Sequence, residues 1–110
     1  MTNDDYQELY NECSLIAVHV ASAFGVSMGD MYSNRRSSYG VNMGDVRSMY
    51  FYIAREHTSA SFPIIGKALC KDHTTAISAH KKATIKFSDN SWQEKLFLVC
   101  DALGFNRQGS

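Results

Sequence analysis

The segment Lys71-Asp72-His73-Thr74-Thr75, followed at helical spacing by Ser78 and Lys81-Lys82, gathers polar side chains of the kind that read the edges of base pairs. An aspartate ahead of His-Thr-Thr is an N-cap signal, because its carboxylate accepts the unpaired N–H groups of a first helical turn. The helix it opens, predicted over 72–86, presents His73, Thr74 and Thr75 at its N-terminal end. Threonine offers a methyl for the thymine C5-methyl and a hydroxyl for donor or acceptor positions, while histidine hydrogen-bonds a base or a phosphate. The helix terminus itself favours a nearby anion. Lys71 before this helix and Lys81-Lys82 along it are positioned for phosphate contacts. The same residues also suit an ordinary capped core helix, so spacing alone leaves both readings open.

Other chemistries find less support. Glu8 and Glu12, four apart on one helical face, resemble a carboxylate pair without a catalytic partner beside them, and no enzyme is expected. Cys13, Cys70 and Cys100 are an odd number at wide spacing, which is neither a disulfide framework nor a zinc C-x-x-C pattern. They read as reduced thiols in a core, with Cys70 partly exposed beside the polar helix. No G-x-x-x-x-G-K-[ST] phosphate loop occurs in these 110 residues. Neither a metal nor a cofactor is expected. His19 reads as a core histidine, and His57 and His80 as surface or partner-facing residues.

The 110 residues suit one domain, predicted over 1–110, and hydrophobic and charged shares of 45% and 20% suit a globular chain. No apolar run approaches the roughly 18 residues of a membrane span. The acidic start Met1-Thr2-Asn3-Asp4-Asp5 is unlike a secretory signal, so a cytoplasmic, nucleoid-associated place is expected, with no membrane partner. The formal net charge of zero hides strong polarity. Residues 1–33 hold five acidic side chains and no lysine or arginine, residues 34–86 nine basic against three acidic, and residues 87–110 two basic against three acidic. A basic middle between acidic ends attracts phosphate locally and steers the whole molecule weakly. A solvated basic face accounts for the same numbers.

The elements that must position these residues are helical. Tyr6, Leu9, Tyr10, Cys13, Ile16, Ala17, Val20 and Phe24 form one apolar stripe, predicting a helix over 4–24 that Gly25 stops. Ser27 with Asp30 predicts a capped short helix with Met28, Met31 and Tyr32 inward. Residues 33–45, with Arg35, Arg36, Gly40, Asn42 and Gly44, read as a basic flexible loop. A third helix is expected over 46–57. A fourth follows Ser61 as N-cap with Pro63 in its first turn. Leu69-Cys70-Lys71 makes a tight turn into the helix over 72–86, with Ala76, Ile77, Ala79 and Ala83 inward. A sixth helix is expected over 91–103, ended by Gly104. The expectation is an all-α fold of six helices without a sheet, in which the fourth and fifth form a helix-turn-helix.

Residues 17–86 resemble the C-terminal DNA-binding domain of the bacterial replication initiator DnaA, within the Trp-repressor-like helix-turn-helix folds. The resemblance is carried in order by Val20-Ala21-Ser22-Ala23-Phe24-Gly25-Val26, Asp30-Met31-Tyr32-Ser33-Asn34-Arg35-Arg36, Arg47-Ser48-Met49-Tyr50, Ala54-Arg55-Glu56-His57-Thr58, Ser61-Phe62-Pro63-Ile64-Ile65-Gly66 and Lys71-Asp72-His73-Thr74-Thr75-Ala76. It implies that His73, Thr74 and Thr75 read the major groove, with Asp72 and Ser78 beside them. It also implies that Arg36, with Arg35, reaches an A·T-rich minor groove, and that Arg47, with Ser48, touches phosphate or base from the side. The implied partner is double-stranded DNA, bound by a monomer at a short asymmetric site, in a regulator of replication or transcription without ATPase activity. The chain departs from the family pattern in four places, one of them Ser48, where a longer polar side chain is frequent. The loop between Arg36 and Arg47 is longer and poorer in arginine, the turn Leu69-Cys70-Lys71 lacks a glycine pair, and Ser78 stands where histidine is common. These departures and the neutral net charge motivate an alternative: an adaptor that kept the fold and acts on a replication initiator or another regulatory protein. The terminal helices, with Tyr6, Leu9, Tyr10, Trp92, Phe97 and Phe105, either complete the core or offer a surface for self-association.

Overall fold

Acidic residues at its start and an apolar stripe along one side make the first helix, α1 (Asn3–Phe24), in a computed structural model of the protein that describes residues 3–105. Met1 and Thr2 of the acidic start and Arg107 of the charge balance lie outside the described residues. Cys13, Ile16, Ala17, Val20 and Ala21 turn inward, and Gly25, at φ +70°, ends the helix in a conformation that costs glycine little. The second helix, α2 (Met28–Tyr32), carries the capping box expected from its sequence. The Ser27 hydroxyl accepts from the Asp30 N–H at 3.0 Å, and the Asp30 carboxylate accepts from the Ser27 N–H at 3.1 Å. Met31 is buried, but Tyr32, expected to face inward, is 44% exposed.

The expected flexible loop is a small hairpin. Strands β1 (Ser37–Ser38) and β2 (Val41–Asn42) pair antiparallel across Tyr39 and Gly40, whose φ values of 50° and 80° make the two-residue turn that matches strand twist. Strands of two residues are too short to leave an alternating pattern, which is why the sequence reads as loop. The third helix, α3 (Met43–His57), begins earlier than its apolar periodicity suggests, because the Asn42 side chain caps it by accepting from the Asp45 N–H at 3.2 Å.

The fourth helix, α4 (Phe62–Lys67), has Pro63 in its first turn, while Ser61 occupies the cap position without a side-chain bond. The fifth, α5 (His73–Lys86), and sixth, α6 (Asn90–Leu103), are capped by Asp72 and Asp89, and Gly104 at φ +76° closes α6. The core draws on all six helices. Its centre is α3, where Val46, Met49, Tyr50, Phe51, Ile53 and Ala54 are fully covered. Each such large apolar side chain contributes about 1.5–3 kcal/mol on leaving water. The Tyr50 hydroxyl donates to the Ile65 carbonyl at 2.6 Å, fastening α3 to α4. Trp92 of α6 is buried, and its indole N–H donates to the Asp45 carbonyl at 3.0 Å. Burial pushes the Cys13 thiol up to about 11, so it stays protonated.

Two histidines expected on the surface are packed instead. His57 stacks on Phe105 with ring centroids 4.7 Å apart, and His80 lies against Tyr52 and Phe62 with its Nε2 at 3.4 Å from a Glu56 oxygen. His19 is half-buried. No helix among the described residues is long and apolar enough to cross a membrane.

Candidate nucleic-acid interface

The turn between α4 and α5 is tight because residue 66 has no side chain. A Cβ on Gly66 would lie 2.8 Å from the Lys71 carbonyl oxygen and 2.9 Å from that of Asp72. The Gly66 carbonyl accepts from the Leu69 N–H at 3.0 Å and the Lys71 N–H at 2.8 Å. Cys70 takes the left-handed position of the turn, at φ +58°, where glycine usually stands. An L side chain there costs on the order of 1–2 kcal/mol. The chain thus makes the sharp turn without a glycine pair, at a local strain.

From this turn α5 leaves with its polar start uncovered. The Asp72 carboxylate accepts the Thr75 N–H at 2.8 Å, and that bond holds its carboxyl below the usual range. His73, Thr74, Thr75, Ser78 and Lys81 are all exposed. Ile77, expected to face inward, is 37% exposed on the same helix. The opposite face is anchored by Ala76 and Ala83 in the core. Lys82 is half-buried and lies 3.7 Å from the Asp45 carboxylate, which Lys86 approaches at 3.0 Å. A cleft of ≈ 370 Å³ separates α5 from the start of α3, lined by Gly44, Arg47 and Phe51 on one side and by Thr74, Thr75, Ser78, Ala79 and Lys82 on the other.

Three residues expected to touch DNA are placed for other work. Ser48 is fully buried, its hydroxyl donating to the Asp45 carbonyl at 2.8 Å, and it has no access to a ligand. The Arg47 guanidinium donates to the carbonyls of Met31 (3.3 Å), Arg35 (3.0 Å), Asp30 (3.0 Å) and Ser33 (2.7 Å). The Lys71 ammonium donates to the Tyr32 and Ser33 carbonyls at 3.0 and 2.7 Å and to the Asn34 side chain at 2.9 Å, which occupies its three protons. Partial burial draws both cations below their usual pKa values, and for Lys71 the neighbouring Arg47 adds to the effect. Arg47 and Lys71 thus clamp the backbone that follows α2, and Arg47 also lines the cleft beside Thr74 and Thr75. They satisfy the carbonyls left open at the C-terminal end of α2, where positive charge also suits the helix dipole.

The clamps join two parts of the surface. Lys71 directly precedes the cap of α5, and Arg47 holds the backbone of Arg35, so the exposed Arg35 and Arg36 are fixed beside the start of α5. The hairpin is tied to the same platform by a Ser38 hydroxyl bond to the Asp30 carboxylate (2.9 Å) and a Met43 N–H bond to the Arg36 carbonyl (2.9 Å). The result is a helix start and a cationic arm held side by side. The sequence did not reveal the clamps, because bonds across 12 to 17 positions for Arg47 and 37 to 39 for Lys71 leave no local pattern. It also passed over Lys67, exposed at the end of α4, and Tyr39 at the hairpin tip.

Glu12 lines a small pocket with His57, Leu15, Ile16, Leu103 and Phe105, a proximity its sequence neighbourhood does not disclose. Among the described residues no group of three potential ligands could hold a metal ion.

The family model for the bacterial DnaA protein helix-turn-helix matches residues 13–83. The chain belongs to the bacterial DnaA helix-turn-helix family. That span takes in the clamps, the hairpin, α4 and most of α5. Chromosomal replication initiator protein DnaA from Nostoc is 34% identical over 89 residues, covering 79% of this chain and 19% of the relative. The DnaA proteins of Pelobacter propionicus and Lactiplantibacillus plantarum are 38% and 39% identical over 77 and 71 residues, covering 69% and 64% of this chain. The chain thus spans less than a fifth of the curated relatives it matches, at 19, 16 and 15% of their lengths. The match is to a DNA-binding helix-turn-helix module of the DnaA family and not to a catalytic one. No solved structure gives a significant match.

Proposed function

We propose that this protein binds double-stranded DNA sequence-specifically, as a monomer, at a short asymmetric site resembling those recognised by DnaA. The observation that carries this reading is the uncovered polar start of α5, with Asp72 capping it from the side and Arg35 and Arg36 held next to it. In this reading His73, Thr74, Thr75 and Ser78 meet base edges in the major groove, where hydroxyls and the imidazole find donors and acceptors. Lys81 meets phosphate, and Lys82 meets it in exchange for Asp45. Arg35 and Arg36 enter the adjacent minor groove, whose potential is deepest over A·T pairs. Arg47 and Lys71 set the spacing between the two contacts. The 110 residues hold no nucleotide-binding loop, and the role that fits them is site occupancy on the chromosome, regulating replication or transcription without ATP turnover by this segment.

Selection from a pool of random duplexes at moderate salt tests the reading. A single enriched motif, bound with an affinity that falls steeply with salt, is the expected result. One observation favours a second reading: two cations expected on phosphate are spent on carbonyls, which leaves a sparser positive surface. An adaptor that binds a replication initiator instead would enrich no motif and would show no salt-dependent shift with any duplex.

A further inference from the structure

We propose that Tyr39, at the tip of the β1–β2 hairpin, is a DNA contact that extends the footprint beyond the base pairs met by α5 and the two loop arginines. The inference rests on the duplex-binding reading above and adds to it a residue and a segment of the target. Tyr39 is 97% exposed, so folding gains nothing from its ring. It also sits at φ +50°, a strained conformation for a bulky residue, in a turn that asparagine or glycine would fill with less cost. The tip is an exposed aromatic ring where the local structure asks for a small polar residue.

Its surroundings indicate the partner. From Met31 to Gly44 the chain holds no carboxylate, and it carries the exposed Arg35 and Arg36. The base of the arm is tied on both sides, to the α2–α3 platform by the bonds of Ser38 to Asp30, Met43 to Arg36 and Arg47 to Arg35, and to the turn before α5 by Lys71 on Ser33 and Asn34. A tethered arm with guanidiniums at its base and a bare ring at its tip suits a polyanion that also offers apolar sugar surface. The guanidiniums neutralise phosphate while the ring packs on deoxyribose along the groove wall. The tyrosine ring, rather than its hydroxyl, carries the contact.

Fluorescence anisotropy titration of the full 110-residue protein tests this on two versions of the enriched duplex. One is extended on the arm side, and the other is cut back to the base pairs next to α5. Tyr39→Ala is expected to weaken binding to the extended duplex roughly tenfold and to leave the short one unaffected, while Tyr39→Phe keeps most of the affinity. Tyr39→Gly, which relaxes the turn, is expected to melt no lower than the wild type and still lose the same affinity. Equal binding of wild type, Tyr39→Ala and Tyr39→Gly on the extended duplex, with Thr75→Ala still defective, overturns the role of Tyr39 and leaves the helix reading intact. Equal losses on both duplexes also overturn it, since the contact would not lie on the flank. Absence of any enriched duplex overturns both inferences.

Discussion

The helices α3 and α5 lie against each other, yet they are built to opposite ends. Eight residues of α3 are buried, among them Met49, Tyr50, Phe51 and Ile53, and its polar bonds point inward to Ile65 and the α2 carbonyls. Only Ala76 and Ala83 of α5 are buried, and the residues of its first turn are uncovered. Two alanines supply little apolar area. The position of α5 therefore draws also on the tight turn before it, on His80 against Tyr52 and Phe62, and on Lys82 and Lys86 at Asp45. In the proposed reading stability and recognition are carried by different helices, so substitutions should separate the two.

The widest separation is expected in the core. Leu96→Ala, in the α6 side of the core, should lower unfolding free energy by about 2–5 kcal/mol in urea titration, while the folded fraction keeps its preference among duplexes. Arg47→Ala should break the separation, because it removes four bonds to carbonyls, of which Ser33 keeps the Lys71 ammonium and Asp30 the Ser33 hydroxyl while those of Met31 and Arg35 lose the guanidinium outright. We expect about 1.5–3 kcal/mol of lost stability together with weaker DNA binding, and Arg47→Lys should not restore either, since an ammonium lacks the planar fork. A variant with full stability and full affinity would show that the clamp is idle.

Thr75→Ala should act on recognition, with a cost of about 1–3 kcal/mol on the selected site and relaxed preference there. Equal losses on selected and random DNA would exclude base reading by this side chain. Lys81→Ala should weaken all duplexes alike and reduce the slope of log affinity against log salt by about one.

The smallest expected effect is a pH dependence. Burial holds the His57 imidazole below its usual value, with the charge of Glu56 opposing and Glu12 across the same pocket. The unfolded chain then binds the proton more readily than the folded one. The stabilising contribution is complete above the unfolded value of about 6.5 and declines as pH falls from there toward the lower folded value. Thermal melts between pH 7 and 5 should show this decline, and His57→Gln should flatten it.

Long periodic segments were legible from the residues alone. The α1 stripe, the Ser27–Asp30 capping box and the Asp72 cap all follow from local rules that the chain obeys. The hairpin was not legible, since two-residue strands hold no alternation and the Tyr39-Gly40 turn lacks the usual Asn-Gly signal. The exposed residues of the candidate site were placed by their spacing from Asp72. The burial of Ser48 and the backbone bonds of Arg47 and Lys71 were not legible, because a residue type and a family position say which groups a side chain carries, and not which partner reaches them first. For these three the partners are backbone carbonyls of the same molecule.

At residue 66 the carbonyls of Lys71 and Asp72 occupy the space a methyl group would need. Any other amino acid there would pry α4 away from the chain that follows it and swing α5 on its hinge. The direction in which the outward helix points is thus set by one carbon atom that is not there.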